Sequence, residues 1–317
     1  MARFSATGAA TAGFGVIGRA PLAVLAWGLV ILVTLVGPMV ALMWTLAPQF
    51  IEMIKTMPDP AASSSPAADS AMMARMMQLQ GSMMGVNVVS WVGGAVVKAV
   101  VAGAVFRAVL QPDQKRWAYL RLGKPELWLG LVTLVQTVLF AMAYFAVLFV
   151  GLIVGLIVFL VGSAAGDAGK LVAGLLIALV VLAAIGALIW GVLRLSMAGP
   201  MSFAESKFLL FESWSFTRGQ SGRLLGMAAL LVLILIALEL VLYAVLGIVA
   251  FGSWTGIKAM VESLQGQPPR AWLHAFSGIA AIGTVVLSFL GAFAMALVCA
   301  PWAKAYQELA ASGAGKA

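Results

Sequence analysis

An all-α, polytopic transmembrane helix bundle of about six spans, carrying amphipathic interfacial helices, is predicted by three observations. Hydrophobic residues make up 63% of the chain and charged residues only 9%, against roughly 25% charged in soluble domains. The mean hydropathy is +1.08. The apolar residues also come in runs of about 20 or more, the length a helix needs to cross hydrocarbon. No segment outside these runs is long enough to fold as a separate domain, so residues 1–317 are expected to form a single membrane domain.

The first run, residues 21–47, opens on Pro21, which suits a first helical position, and holds Pro38, whose missing N–H predicts a kink. It is longer than the 7–15-residue core of a signal peptide, and no small-residue cleavage site follows, so it is expected to be retained. Residues 48–87 form an outer segment. Its stretch "PDPAASSSPAADS" has the composition of a flexible linker, and Met72, Met76, Leu79 and Met83 then share one helical face. That face is expected on an amphipathic helix lying on the outer leaflet or the bundle. Thioethers also suit copper(I), but no cysteine or histidine accompanies these, and neither a metal nor a cofactor is expected.

The later spans are residues 88–110, 127–161, 171–195, 224–251 and 273–303. The third is long enough to tilt strongly, and a break at "GLIVG" would make it two. With both termini in the cytoplasm, segments 111–126 and 196–223 also lie inside. This arrangement puts 13 of the 19 Lys and Arg inside and five outside, with Lys98 in a span, as the positive-inside rule requires. The net charge of +8 then follows from basic cytoplasmic loops facing anionic lipid, and no nucleic-acid partner is needed.

Most enzyme chemistry is excluded by composition. One cysteine, Cys299, forms no internal disulfide, and one histidine, His274, builds no multi-histidine metal site. Phosphate-binding glycine loops, nucleophile elbows and zinc-binding helix motifs are all lacking. In the segment "RLSMAGPMSFAESKFLLFESWSFTRG", Ser202 precedes Glu205 by three residues, the capping-box spacing. A helix is expected to start there, lie on the cytoplasmic leaflet with Trp214 at the headgroups, and stop at Gly219. The second span ends "VFRAVLQP", the fourth "VLRLSMAGP" and the sixth "CAPWAKAYQEL". These endings read equally as a weak threefold hairpin repeat or as independent positive anchoring at three exits.

The stretches "AVFRAVLQPDQKRWAYLRLG", "RLSMAGPMSFAESKFLLFESWSFTRG" and "APWAKAYQEL" resemble uncharacterised multi-spanning bacterial inner-membrane proteins. These are similar to the membrane domain that accompanies some glycerophosphodiester phosphodiesterases. The resemblance implies an all-helical inner-membrane protein linked to lipid, without the phosphodiesterase barrel. It transfers no catalytic role. Arg107, Arg194, Ser202, Glu205, Glu212, Trp214 and Arg218 form a cytoplasmic motif by pattern alone.

The remaining candidates are charges inside spans. Lys98 lies 12 residues from the inner end of its span and Glu239 lies 15 from the start of its own, which at about 1.5 Å per residue places both near the midplane. Such charges are costly in hydrocarbon and mark function by default, so the two are expected to pair in the interior, with Gln136, Tyr144 and Tyr243 as polar neighbours. The sequence therefore predicts a non-enzymatic inner-membrane protein organising lipid or protein partners, including further copies of itself. The alternative is a small transporter or channel using Lys98 and Glu239.

Overall fold

A computed structural model of the chain describes residues 4–55 and 66–312. These residues fold into thirteen α-helices with no strand among them. Two short helices, α1 (Ala6–Ala10) and α2 (Ala12–Arg19), precede the first span. The Ser5 side chain caps α1 by accepting the Gly8 N–H. The span itself comprises α3 (Pro21–Ile31), a π-helical turn (Leu32–Val36) and α4 (Gly37–Lys55).

The π-turn is the structural form of the expected Pro38 kink. A proline ring clashes with the carbonyl four residues back in a regular helix, and a wider turn just before Pro38 relieves that clash. Gly37 accordingly bonds back to Leu32, five residues away.

The second span runs from α5 (Pro66–Val97) through another π-turn (Lys98–Ala102) into α6 (Gly103–Leu110). The methionine-rich stretch is thus the first half of α5, continuous with the span, and this corrects the expectation of a separate surface helix. Met72, Leu79 and Met83 are half-buried and Val86 continues their face, whereas Met76 is exposed. Helix α4 packs against α5, with Ser90 Oγ 3.5 Å from Met39 Sδ. The linker at residues 58–70 falls mostly outside the described residues.

Helix α7 (Lys124–Ala164) is continuous through Gly151 and Gly155, so the third apolar run is one element. At 41 residues it is about 60 Å long, twice the hydrocarbon thickness. It turns at Gly166, which has φ +75°, into α8 (Gly166–Leu195), its principal packing partner. A Cβ on Gly162 would lie 2.7 Å from the Gly169 carbonyl oxygen, so the two helices meet backbone to backbone at the turn. The remaining elements are α9 (Ala198–Glu205), α10 (Glu212–Phe216), α11 (Ser221–Gly252), α12 (Trp254–Ser263) and α13 (Pro269–Ala311).

Among the described residues, six helical stretches are long and apolar enough to span a bilayer: Pro21–Glu52, Met72–Leu110, Arg116–Ala164, Gly166–Glu205, Ser221–Gly252 and Arg270–Ala311. The protein is a multi-pass, all-α membrane protein. Alternation of six spans brings α1, the 111–123 loop, α9, α10 and the end of α13 to one end of the bundle, termed here the base. There the Ser5 N–H donates to Glu308 Oε2 at 3.1 Å, tying the two described ends of the chain together.

Packing is concentrated at the base. One core cluster joins α2, α3, α6 and α13 around Trp27, Val105 and Ala300. A second joins α1, α11 and α13 around Met197, Leu224 and Leu309. Away from the base the spans pack mainly in pairs, such as α7 with α8, and leave most of their apolar surface uncovered. The most apolar 18 residues of α7 bury none of their number, and those of α8 and α11 only 6% each.

Candidate functional site

The polar residues that the fold gathers lie at the base, around Arg107. Helix α6 places Arg107 at 4% exposure, and the start of α7 places Glu126 at 1%. An Nη2 hydrogen bond from the guanidinium to Glu126 Oε1 makes a fully enclosed ion pair. The local sequence explains the carboxylate's position. "GKPEL" puts Pro125 in the first turn of α7 and Glu126 at its third residue, from which Oε2 reaches back 3.0 Å to accept the Gly123 N–H. Glu126 therefore caps α7, sits at the favourable pole of its dipole, and neutralises Arg107 at once. Gly103 makes room for it, since a Cβ there would lie 3.0 Å from Glu126 Cγ.

Arg107 has two further partners. Its Nη1 donates to the Tyr119 carbonyl, and its guanidinium lies 5.4 Å from the centroid of the Phe203 ring in α9. Trp27 of α3 donates from Nε1 to the Ala118 carbonyl at 2.8 Å. These two donors grip an unusual piece of backbone. Trp117, Ala118 and Tyr119 have φ of 53°, 56° and 62°, the left-handed region that costs an L-residue roughly 1–2 kcal/mol each. The turn persists because its carbonyls are held from α3 and α6. It presents Trp117 at 85% exposure beside Leu122 at 82%.

A second clamp secures the 206–217 segment. Arg194 at the end of α8 lies 5.3 Å from the Trp190 ring centroid and 5.7 Å from that of Trp214, and its Nη1 donates to the Trp214 carbonyl at 3.3 Å. The Arg194 carbonyl in turn accepts from Ser213 Oγ at 2.8 Å and Thr217 Oγ1 at 3.3 Å. Arg107 and Arg194 thus do the same job at the ends of the second and fourth spans. Each stacks on aromatic rings and holds a carbonyl in the segment that follows.

The capping-box expectation is corrected here. Ser202 lies inside α9, which begins at Ala198, and Glu205 is its last residue. Buried Ser202 Oγ accepts the Leu209 N–H at 3.0 Å, closing the turn after the helix instead of opening it. Ser206 follows in the left-handed region. A helix continuous from Ser202 to Trp214 is replaced by α9, a turn and the five-residue α10. Glu205, Glu212 and Arg218 are exposed on the base, and Gly219, at φ +77°, marks the stop before α11.

Glu239 also lies elsewhere than expected. It is on an exposed face of α11, where it accepts the Tyr243 hydroxyl one turn away at 2.8 Å. Lys98 opens the π-turn in the second span, and its side chain is outside the described residues. That turn packs chiefly on α7 and α13 and on its neighbours α5 and α6, while α11 packs chiefly on α1, α8, α12 and α13. Gln136 Nε2 donates to the Leu195 carbonyl at 2.7 Å, joining α7 to the end of α8, and Tyr144 is exposed beside Phe145.

The residues that sequence reasoning missed are Glu126 and Trp27. The available signal for Glu126 was the Gly-Lys-Pro-Glu start of α7, a capping pattern in its own right. Chemically, the Arg107 cluster spends its donors on Glu126 and the Tyr119 carbonyl, and the Arg194 cluster holds the Trp214 carbonyl through Nη1 while its buried Nε has no partner among the described residues; both hold backbone in place. Comparison with family models, curated proteins and solved structures finds no match.

Proposed function

We propose that the chain is a non-enzymatic protein of a bacterial inner membrane, with its base in the cytoplasm, that organises lipid or partner proteins around itself. The observation that carries this reading is the contrast between a locked base and open spans. Helices α7, α8 and α11 bury 0%, 6% and 6% of their most apolar stretches, although van der Waals packing between helices is what usually stabilises a membrane bundle. Their surfaces carry Phe149, Leu182, Leu240 and Phe251, all more than half exposed. Such faces are suited to bound lipid, to another protein's helices or to a second copy. The excess of basic residues at the base supports the orientation.

The test is native mass spectrometry of the chain extracted from its membrane in mild detergent, run beside a flux assay in sealed vesicles. Co-purifying lipid, a second copy or another chain is expected, without protein-dependent flux. A bare monomer that conducts protons or potassium would overturn the proposal in favour of the transporter alternative.

A further inference from the structure

Two neighbouring cavities open at the base between α2, the end of α13 and the loop after α6. The larger, about 420 Å³, is lined by Gly8, Ala12, Gly15, Arg19, Lys304 and Gln307 among others. The smaller, about 240 Å³, is lined by Arg19, Ala108, Asp113, Lys115 and Tyr119 among others. Arg19 and Pro112 line both. We propose that Arg19, with Lys115 and Lys304 flanking it, holds the phosphate of an anionic phospholipid headgroup in this divided pocket.

Four observations carry the assignment. The first is charge: three cations face two carboxylates, Asp113 in the smaller cavity and Glu308, which lies 3.5 Å from Lys304. The balance is positive and favours an anion.

The second is an uncommitted guanidinium. Arg19 uses Nε to donate to the Gly15 carbonyl at 3.0 Å, and its two terminal nitrogens have no hydrogen-bond partner among the described residues. A guanidinium so placed presents a planar fork that matches phosphate oxygens. Arg107, by contrast, spends both terminal nitrogens within the fold.

The third observation is depth. Leu22, one turn beyond Arg19, is 78% exposed, and Leu25 is 51% exposed. The outward apolar surface of the first span therefore begins directly above the pocket, which puts Arg19 at headgroup level and favours a lipid over a free anion. The fourth is the rim. Trp117, two residues beyond Lys115 in sequence, is 85% exposed on the left-handed turn, and indole side chains favour interfacial depth. Holding that turn in shape gives the strained backbone a use.

This site deepens the proposed lipid-organising role and rests on it, but the two fail separately. Loss of the headgroup site leaves the exposed faces of α7, α8 and α11 unaffected, and flux does not enter its readout.

The experiment uses the full chain in phosphatidylcholine bilayers with trace spin-labelled phosphatidylglycerol or phosphatidylcholine, and measures the motionally restricted fraction of each. The wild type is expected to prefer the glycerol headgroup. Arg19→Gln should lower that preference about fivefold, the equivalent of about 1 kcal/mol for one basic residue near an anionic surface, and Lys115→Gln should act in the same direction. The control is Arg121→Gln, which removes the same charge from a residue that bonds to Gln114 and lines neither cavity. It should leave the preference intact.

An equal loss in Arg121→Gln would reveal a diffuse surface potential and overturn the site, as would no loss in Arg19→Gln. Inorganic phosphate that displaces the labelled lipid, where chloride at equal ionic strength does not, would assign the pocket to a free anion and overturn the lipid. Arg19 is exposed outside the core clusters, and unchanged thermal unfolding of Arg19→Gln shows that any loss comes from binding.

Discussion

Arg107 and Glu126 are each buried beyond the reach of water, so removing one partner strands the other's charge. Arg107→Met or Glu126→Leu alone should cost about 3–5 kcal/mol in detergent unfolding, and the double variant less than the two losses together. Arg107→Met should be the milder single change, because Glu126 keeps its cap on the Gly123 N–H. Strictly additive losses would show that the two side chains do not stabilise each other. A second residue-scale expectation concerns Ala118, at φ 56°. Glycine occupies that region without steric penalty, so Ala118→Gly should raise stability by up to about 1 kcal/mol. The same change at Ala108, in regular helix α6, should lower it by about 1 kcal/mol. Stability falling alike in both would mean that the turn is not left-handed in solution. Arg107 was legible in the sequence as part of a motif, whereas its partner lies 19 residues away on the rim of a polar loop, where a carboxylate reads as solvated.

Among the elements, α9 and its turn separate two readings of the same residues. A capping box would have Ser202 protect the N–H groups of the residues that follow it in a new helix. The observed bond goes instead to the Leu209 N–H. Ser202→Ala should therefore speed amide exchange at Leu209 and leave Ala204 and Glu205 nearly unchanged. The expected stability loss is about 1–3 kcal/mol, the cost of leaving a partly buried donor unmet. Faster exchange at Ala204 and Glu205 would restore the capping reading. The expected helix start at Ser202 is overturned because local spacing does not say on which side of a helix a serine falls. Helix α5 teaches a related lesson. Its methionine face was legible by periodicity, whereas the continuity of that stretch with the second span in one helix was not.

At the scale of the whole molecule, the proposed orientation puts the base in the cytoplasm. With Cys299 replaced, single cysteines at Lys115 and Lys207 should resist a membrane-impermeant thiol reagent applied to intact cells, and one at Lys258 should react. Labelling of Lys207→Cys from outside would invert the topology. The membrane class, six spans and the Pro38 discontinuity could all be read from the sequence, because transfer of a 20-residue run into hydrocarbon is nearly a sum over its own residues and a proline acts on the backbone of its own helix. The tertiary structure alone decided that the third run stays one helix, that Arg107 meets Glu126, that Trp27 and Arg107 hold a left-handed turn, and that Glu239 faces outward beside Tyr243. The physical reason is directional. A helix such as α11, apolar on every side, carries no amphipathic signal to orient it, so which of its faces is buried depends on contacts with other parts of the chain.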